Sequence, residues 1–237
     1  MKFDLSKIEA SNNDKLKNIK LPDHATEKLA EFIGILAGDG YLYRGSNSYT
    51  MGIVGHPIKD YEFFKYVQYL ILELFNKPTK VKERQRAIRI VFQSKWVSEF
   101  LIKIIKMPYG NKKCFQVCVP EFVRQDNALS RSFLRGLFDT DGSVFVSDKR
   151  GSPNYPTIEL STTSSAMINQ VHKILQRLGF RVTNIRSNLR YPNPNFIYIV
   201  SLNGNKNMQM WYDQIGFSNP SKKKVLLKIL KNGDAGI

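Results

Sequence analysis

A nine-residue pattern occurs twice in this chain. Residues 32–40 read FIGILAGDG and residues 134–142 read LRGLFDTDG. Gly34 matches Gly136, Ile35 matches Leu137, Asp39 matches Asp141 and Gly40 matches Gly142, at a constant offset of 141 − 39 = 102 residues. A repeat of this kind constrains the fold strongly, because each copy must build the same supersecondary unit. The likeness runs beyond the nonapeptide. The first copy is followed by a hairpin-like stretch at 41–54, a helical stretch at 60–75, a second hairpin at 80–93 and a helix at 95–105. The second copy is followed by the same succession at 143–161, 164–178, 181–202 and 206–215. Even the tails match, MPYGNKK at 107–113 and FSNPSKKK at 217–224. Each half therefore reads αββαββα, and the fold class is α+β with two pseudo-symmetric halves. The expected organisation is a polar lead-in at 1–24, a first half at 25–106, a linker at 107–126 and a second half at 127–237.

The helix of each copy carries a row of small residues. Ala30, Gly34 and Gly38 recur every four positions in the first, and Ser132, Gly136 and Thr140 in the second. Residues four apart share one helix face. Glycine inside a helix costs about 1 kcal/mol relative to alanine. Small residues can pack a helix on a sheet, but the same row in both copies points to one helix lying against the other. Each row ends in an aspartate. A lone Asp-Gly is commonly a solvated turn. Two of them on paired helix ends would repel one another and face the negative end of each helix dipole. A divalent cation with oxygen ligands resolves both problems.

Lys and Arg outnumber Asp and Glu by 36 to 20, a net charge of +16, which favours a nucleic-acid partner. Cys114 and Cys118 lack the further ligands a zinc site needs, and His24, His56 and His172 are scattered. The longest apolar run, near 32–38, is far short of a membrane span. The first residues lack a signal-peptide core, so the expectation is an intracellular protein with no membrane partner.

The two nonapeptides resemble the signature of the LAGLIDADG homing endonucleases, and the likeness covers roughly residues 26–230. VPEFV at 119–123 resembles the segment before the second motif in single-chain members, and IGFSNP at 215–220 their closing segment. The resemblance implies two antiparallel four-stranded sheets forming a saddle over duplex DNA with a long asymmetric target site. It implies a monomer that uses Mg²⁺ (or Mn²⁺) to cut both strands across the minor groove, leaving short 3′ overhangs. Asp39 and Asp141 would be the catalytic metal ligands, joined by the backbone carbonyls of Gly38 and Thr140. The earlier acidic position of the motif is Ala37 in one copy and Asp139 in the other, and is not expected to hold metal.

A basic residue beside each acid is expected to order water or stabilise charge. The candidates are Lys95 and Lys206, just after the last strand of each half, with Gln93 and Asn203 as alternatives. Strand alternation directs every second side chain outward. That makes Tyr43, Arg44, Lys80, Lys82, Arg84, Arg86 and Arg89 candidate DNA contacts in the first half. Lys149, Arg150, Arg181, Arg186, Arg190 and Tyr191 are the candidates in the second. Some proteins of this fold help introns splice, so intron RNA is an alternative partner, and a non-catalytic DNA-binding protein is a second alternative. Two retained acids argue against the latter. No splicing-domain sequence flanks the repeat, so an intact intein is not expected.

Overall fold

The structure, a computed structural model, describes all residues except 47, 85, 112, 150–151, 191–194 and 235–237. After a short helix α1 (Asn12–Leu16), the first half runs α2 (Glu27–Gly38), β1 (Gly40–Arg44), β2 (Tyr49–Gly55), α3 (Tyr61–Phe75), β3 (Val81–Arg84), β4 (Ala87–Gln93) and α4 (Lys95–Glu99), which continues into a π-helical turn (Phe100–Ile104). Two short helices, α5 (Lys113–Gln116) and α6 (Glu121–Gln125), lead to the second half. It runs α7 (Asn127–Thr140), β5 (Gly142–Lys149), β6 (Ser152–Thr162), α8 (Ser165–Arg177), β7 (Arg186–Arg190), β8 (Asn195–Asn203), α9 (Asn205–Gln214) and a closing helix α10 (Pro220–Asp234). The αββαββα order holds in both halves. The antiparallel sheets have the same strand order, β1-β2-β4-β3 and β5-β6-β8-β7.

Alternation explains how each sheet sits. Leu42, Met51, Ile53, Ile88, Ile90 and Phe92 point inward and are buried, against apolar α3 residues such as Phe64, Val67 and Ile71. The alternate residues face outward. The central helices start where the sequence supplies caps. Thr26 accepts from Leu29 N at 3.2 Å, and Asp126 accepts from Ala128 N and Leu129 N at 2.8 and 3.0 Å.

The lead-in at 1–24 is more than a polar extension. Phe3, Ile8 and Ile19 are buried, and Phe3 meets Phe100 and Phe122 edge-on, each at a centroid distance of 5.5 Å. The Asp14 carboxylate accepts from Trp96 N at 3.1 Å and from the Ser11 hydroxyl at 2.6 Å. Three apolar residues at irregular spacing carry no periodic signal, so composition alone conceals this packing.

Candidate active site

The glycine rows meet. A Cβ built on Gly34 would lie 2.2 Å from the carbonyl oxygen of Phe133 and 2.9 Å from Leu137 N. One built on Gly136 would lie 2.1 Å from the carbonyl oxygen of Glu31 and 2.9 Å from Ile35 N. The differences 136 − 34, 133 − 31 and 137 − 35 all equal 102, so the contacts are two-fold equivalents at the repeat spacing. Backbone therefore touches backbone, and only glycine fits. Farther along, a Cβ on Gly38 would lie 2.1 Å from Thr140 Oγ1 and 3.2 Å from Asp141 Cγ. The helices run parallel and their C-terminal ends converge. Ala30 and Ser132 are buried at the other end, where the Ser132 hydroxyl donates to Glu27 at 3.1 Å.

Asp39 and Asp141 stand at this convergence, half-buried. Burial, then the charge of Asp141, then that of Asp60, push Asp39 up to about 6. Burial also raises Asp141, against the pull of Lys113 and Lys222. Neither carboxylate accepts a hydrogen bond from another described residue. Each helix end is instead covered by a lysine. Lys113 Nζ donates to the carbonyls of Leu36 (2.8 Å), Ala37 (2.7 Å), Gly38 (3.3 Å) and Gly40 (2.7 Å). Lys222 Nζ donates to those of Phe138 (2.8 Å), Thr140 (2.9 Å) and Gly142 (2.6 Å). Positions 36, 38 and 40 become 138, 140 and 142 on adding 102, so the two ammonium groups are also equivalents. They place a cation at the negative end of each dipole. Burial lowers both lysines, Lys113 to about 8, while the neighbouring carboxylates oppose the shift. Part of what the sequence assigns to a metal, neutralising the helix ends, is therefore done by lysine.

Lys113 and Lys222 are absent from the sequence-based candidates. Their signal lies in the matching tails, MPYGNKK and FSNPSKKK, which end in the lysines that fold back onto the helix ends. Lys95 and Lys206 are not at the acids, and strand direction is the reason. Val54 N donates to Asp39 O at 3.2 Å, so β2 ends at the site. Arg89 pairs with Val54 and Gln93 with Thr50, so β4 runs away from it. In the second half Gly142 pairs with Leu160, whereas Asn203 pairs with Thr157 farther out. The residues that follow β4 and β8 are thus at the distal ends of the sheets, and Gln93 and Asn203 lie there too.

Asp139 has a different task from Asp141. Its carboxylate accepts from Ser218 N (3.0 Å) and Asn219 N (2.9 Å) at the start of α10, the helix that carries Lys222. Burial pushes it up to about 7 against those two bonds. Asn219 Nδ2 also donates to Asp60 at 3.0 Å, which ties α10 to the first half. Lys113 arrives on α5, and Ala37 needs no such anchor.

The site fits an oxygen-coordinated cation. Two half-buried carboxylates lack hydrogen-bond donors, and the Gly38 and Thr140 carbonyls each retain a lone pair beyond the lysine bond. Among the described residues no group of three or more His, Cys, Asp or Glu forms a metal cage. A hard ion that keeps several waters suits so few carboxylates.

The outward face of the first sheet is basic. Lys82 pairs across the ladder with Arg89, and Arg84 lies on the same face. Tyr43, Lys80 and Arg86 are exposed, and exposed Arg44 lies 5.9 Å over the Tyr49 ring. The second sheet differs. Arg186 is paired with Glu159 at 2.9 Å, which also accepts from Ser201, so the charge of Arg186 is met within the sheet. Arg181 is exposed at its distal end. Lys149 and Arg190 end β5 and β7, while Arg150 and Tyr191 lie outside the described residues. No helix among the described residues is long and apolar enough to cross a membrane.

Comparison with known proteins places this geometry. Residues 128–216 match the LAGLIDADG-like domain, and residues 29–108 match the WhiA LAGLIDADG-like domain. A replication factor C small subunit of Methanocaldococcus jannaschii is 33% identical over 209 residues, 87% of this chain and 10% of that protein. A glutamine–fructose-6-phosphate aminotransferase of the same organism is 26% identical over 218 residues, 90% of this chain and 18% of that protein. The chain thus spans less than a fifth of the length of either. Among solved structures, the homing endonuclease I-WcaI bound to its DNA recognition sequence superposes with a TM-score of 0.60 at 16% identity, covering 91% of this chain and 92% of the other. I-DmoI in complex with DNA and Ca gives 0.57 at 16% identity, covering 85% and 96%. Full-length DUF199/WhiA from Thermatoga maritima gives 0.53 at 18% identity, covering 93% and 65%. With both repeats matched by domains of one kind, and with the helix pair and sheets they require in place, the chain belongs to the LAGLIDADG family in its two-motif, single-chain form.

Proposed function

We propose that this chain is a site-specific endonuclease that breaks both strands of a duplex DNA target in a divalent-metal-dependent reaction, leaving short 3′ overhangs. The observation that carries the reading is the pair of donor-free carboxylates, Asp39 and Asp141, at converging helix ends with an equivalent lysine behind each. Mg²⁺ or Mn²⁺ held there supplies charge stabilisation at the scissile phosphate and activates water. Asp39 and Asp141 hold the cation, with the Gly38 and Thr140 carbonyls as further ligands. Lys113 and Lys222 fix the helix ends and offset negative charge beside each strand's phosphate. The sheet faces hold the duplex, the basic first face above all, with Arg and Lys there able to read guanine in the major groove. The two halves supply both cutting positions, so a monomer suffices. The structures of I-DmoI in complex with DNA and Mn and with DNA and Ca support the class of partner and of cofactor. The curated relatives bear unrelated names and contain the matched segment as a minor part, a distribution that supports a segment able to move between genes.

One observation favours a second reading. The first half matches the WhiA domain, so a protein that binds DNA without cutting it is the alternative. A plasmid library of genomic fragments incubated with protein and Mg²⁺ separates the two. Linearisation at one recurrent sequence is expected, whereas tight retention of a sequence with both strands intact supports binding alone.

Ionised Asp39 is needed to hold the cation, and its carboxyl sits near 6. At subsaturating Mg²⁺, cleavage is therefore expected to rise steeply between about pH 5 and pH 7, with more Mg²⁺ moving the rise to lower pH. A flat single-turnover profile across that range would contradict this assignment. Replacing Lys113 or Lys222 with Met leaves at least three carbonyls without that donor. Each change is expected to cost about 2–3 kcal/mol in thermal or denaturant unfolding. Each is also expected to lower single-turnover cleavage about a hundredfold. Wild-type stability and rate in both variants would remove the lysines from the site.

A further inference from the structure

Lys95 and Lys206, which are not beside the acids, occupy equivalent places of another kind. Each lies in a polar cleft at the distal end of its sheet. The first cleft combines Lys95 with Gln93, Ser46 and Asn13 from the N-terminal segment. The second combines Lys206 with Arg181, Asn203 and Asn205. Lys95, Lys206 and Arg181 form no ion pair with a described residue. Hydrogen bonds hold the backbone beside Lys95 and at Arg181. Beside Lys95, Ser94 accepts from Val97 N at 3.2 Å and Trp96 N donates to Asp14 at 3.1 Å. Buried Asn207 clamps the backbone of Arg181 through its N–H at 3.2 Å and its carbonyl at 2.8 Å. Asp14, the one acid in the first cleft, is buried with its carboxylate already bonded to Ser11 and Trp96.

The second cleft is also the end of a continuous track along β6. Asp141 and Ser161 line a hollow at the helix ends, Glu159 and Thr157 line the next, and Tyr155 lines the last with Lys206. Six strand steps from Ser161 to Tyr155 span roughly 20 Å at about 3.4 Å each. That is roughly six base pairs of duplex at about 3.4 Å per step along one strand.

We propose that the two distal clefts are backbone clamps, in which Lys206 with Arg181 takes duplex phosphates roughly six base pairs outside the cutting centre and Lys95 takes those at the distal end of the other half. This rests on the reading of the partner as duplex DNA. The clamps orient the flanks without reading bases, since cations on phosphate fix register and carry no sequence information.

The test is a Lys95→Ala, Lys206→Ala double variant on the cleaved duplex, with Ca²⁺ in place of Mg²⁺. Affinity is measured against salt and the backbone is mapped by hydroxyl-radical footprinting. Each lost phosphate contact is expected to reduce the salt slope by about 0.9, so about 1.8 for the pair. Protection is expected to disappear at both outer edges and to persist at the centre. The Lys95→Arg, Lys206→Arg protein should recover slope and edges, which a folding defect would not allow. A double-alanine protein with the wild-type slope and full-length protection overturns the clamps while leaving the duplex reading intact. A wild-type protein without salt-dependent duplex binding overturns both.

Discussion

Replacing Asp39 or Asp141 with Asn is expected to lower double-strand cleavage by at least about a thousandfold, a loss comparable with removing a principal charge-stabilising group from an active site. The same substitution is expected to stabilise the metal-free protein. The sign follows from linkage. Asp39 titrates near 6 in the folded chain against a reference value of 3.8, so between those values the folded state binds more protons than the unfolded one. Stability contributed by this group falls as pH rises from about 4 to about 6 and stays lost above that. Asn carries no charge, so the melting temperature of Asp39→Asn should exceed that of wild type at pH 7.5 without metal, and the two should converge below about pH 4. Adding Mg²⁺ should raise the wild-type melting temperature and leave that of the variant little changed. A large activity loss accompanied by a lower melting temperature at pH 7.5 would mean that Asp39 supports the fold rather than the cation.

Gly34→Ala and Gly136→Ala are expected to be the most damaging small substitutions in the chain. The new methyl would sit 2.2 or 2.1 Å from a backbone carbonyl oxygen of the facing helix, and backbone cannot swing aside as a flexible side chain can. Overpacking of this kind typically costs about 1–3 kcal/mol, and these contacts belong at the upper end or beyond. At about 2–4 °C per kcal/mol for a chain of this size, the melting temperature should drop by roughly 6–12 °C. Any separation of the helices also moves Asp39 from Asp141, so cleavage should fall further than stability alone explains. Gly45→Ala is the comparison, because the nearest atoms to its added Cβ are 3.4 Å away, an ordinary contact. Equal melting temperatures for Gly34→Ala and Gly45→Ala would contradict the close approach of the helices.

The repeat made the architecture legible because its two copies must build one local structure. It also exposed the helix pair, since an interior glycine row in both copies has few other uses, and Gly34 and Gly136 meet the facing backbone. The acids were legible for the same reason. The lysines behind them were not, because Lys113 and Lys222 reach the helix ends from segments 74 and 81 residues after Asp39 and Asp141 (113 − 39 and 222 − 141), and the matching tails that carry them do not say where in the fold those tails return. Lys95 and Lys206 were misplaced because a helix start after a strand says nothing about which way that strand runs relative to the site. The pairing of Arg89 with Val54 decides it, and pairing is a property of the sheet. The pairing of Arg186 was hidden similarly. Arg186 reads as a free cation until Glu159, 27 residues earlier, is brought beside it. The buried role of Phe3, Ile8 and Ile19 is a third case, in which sparse apolar residues find a partner surface only in the folded chain.

The most direct measurement is strand-by-strand mapping of cut ends on a duplex made by joining the genomic sequences that flank this coding segment. It is run with Mg²⁺ and with EDTA, for wild type, Asp39→Asn and Asp141→Asn. The expected result is one cut on each strand, offset to leave a short 3′ overhang, seen with wild type and Mg²⁺ and lost in EDTA and in both variants. Cutting that survives chelation or either Asp substitution would contradict the paired-carboxylate account, and so would a tightly bound duplex left whole with Mg²⁺.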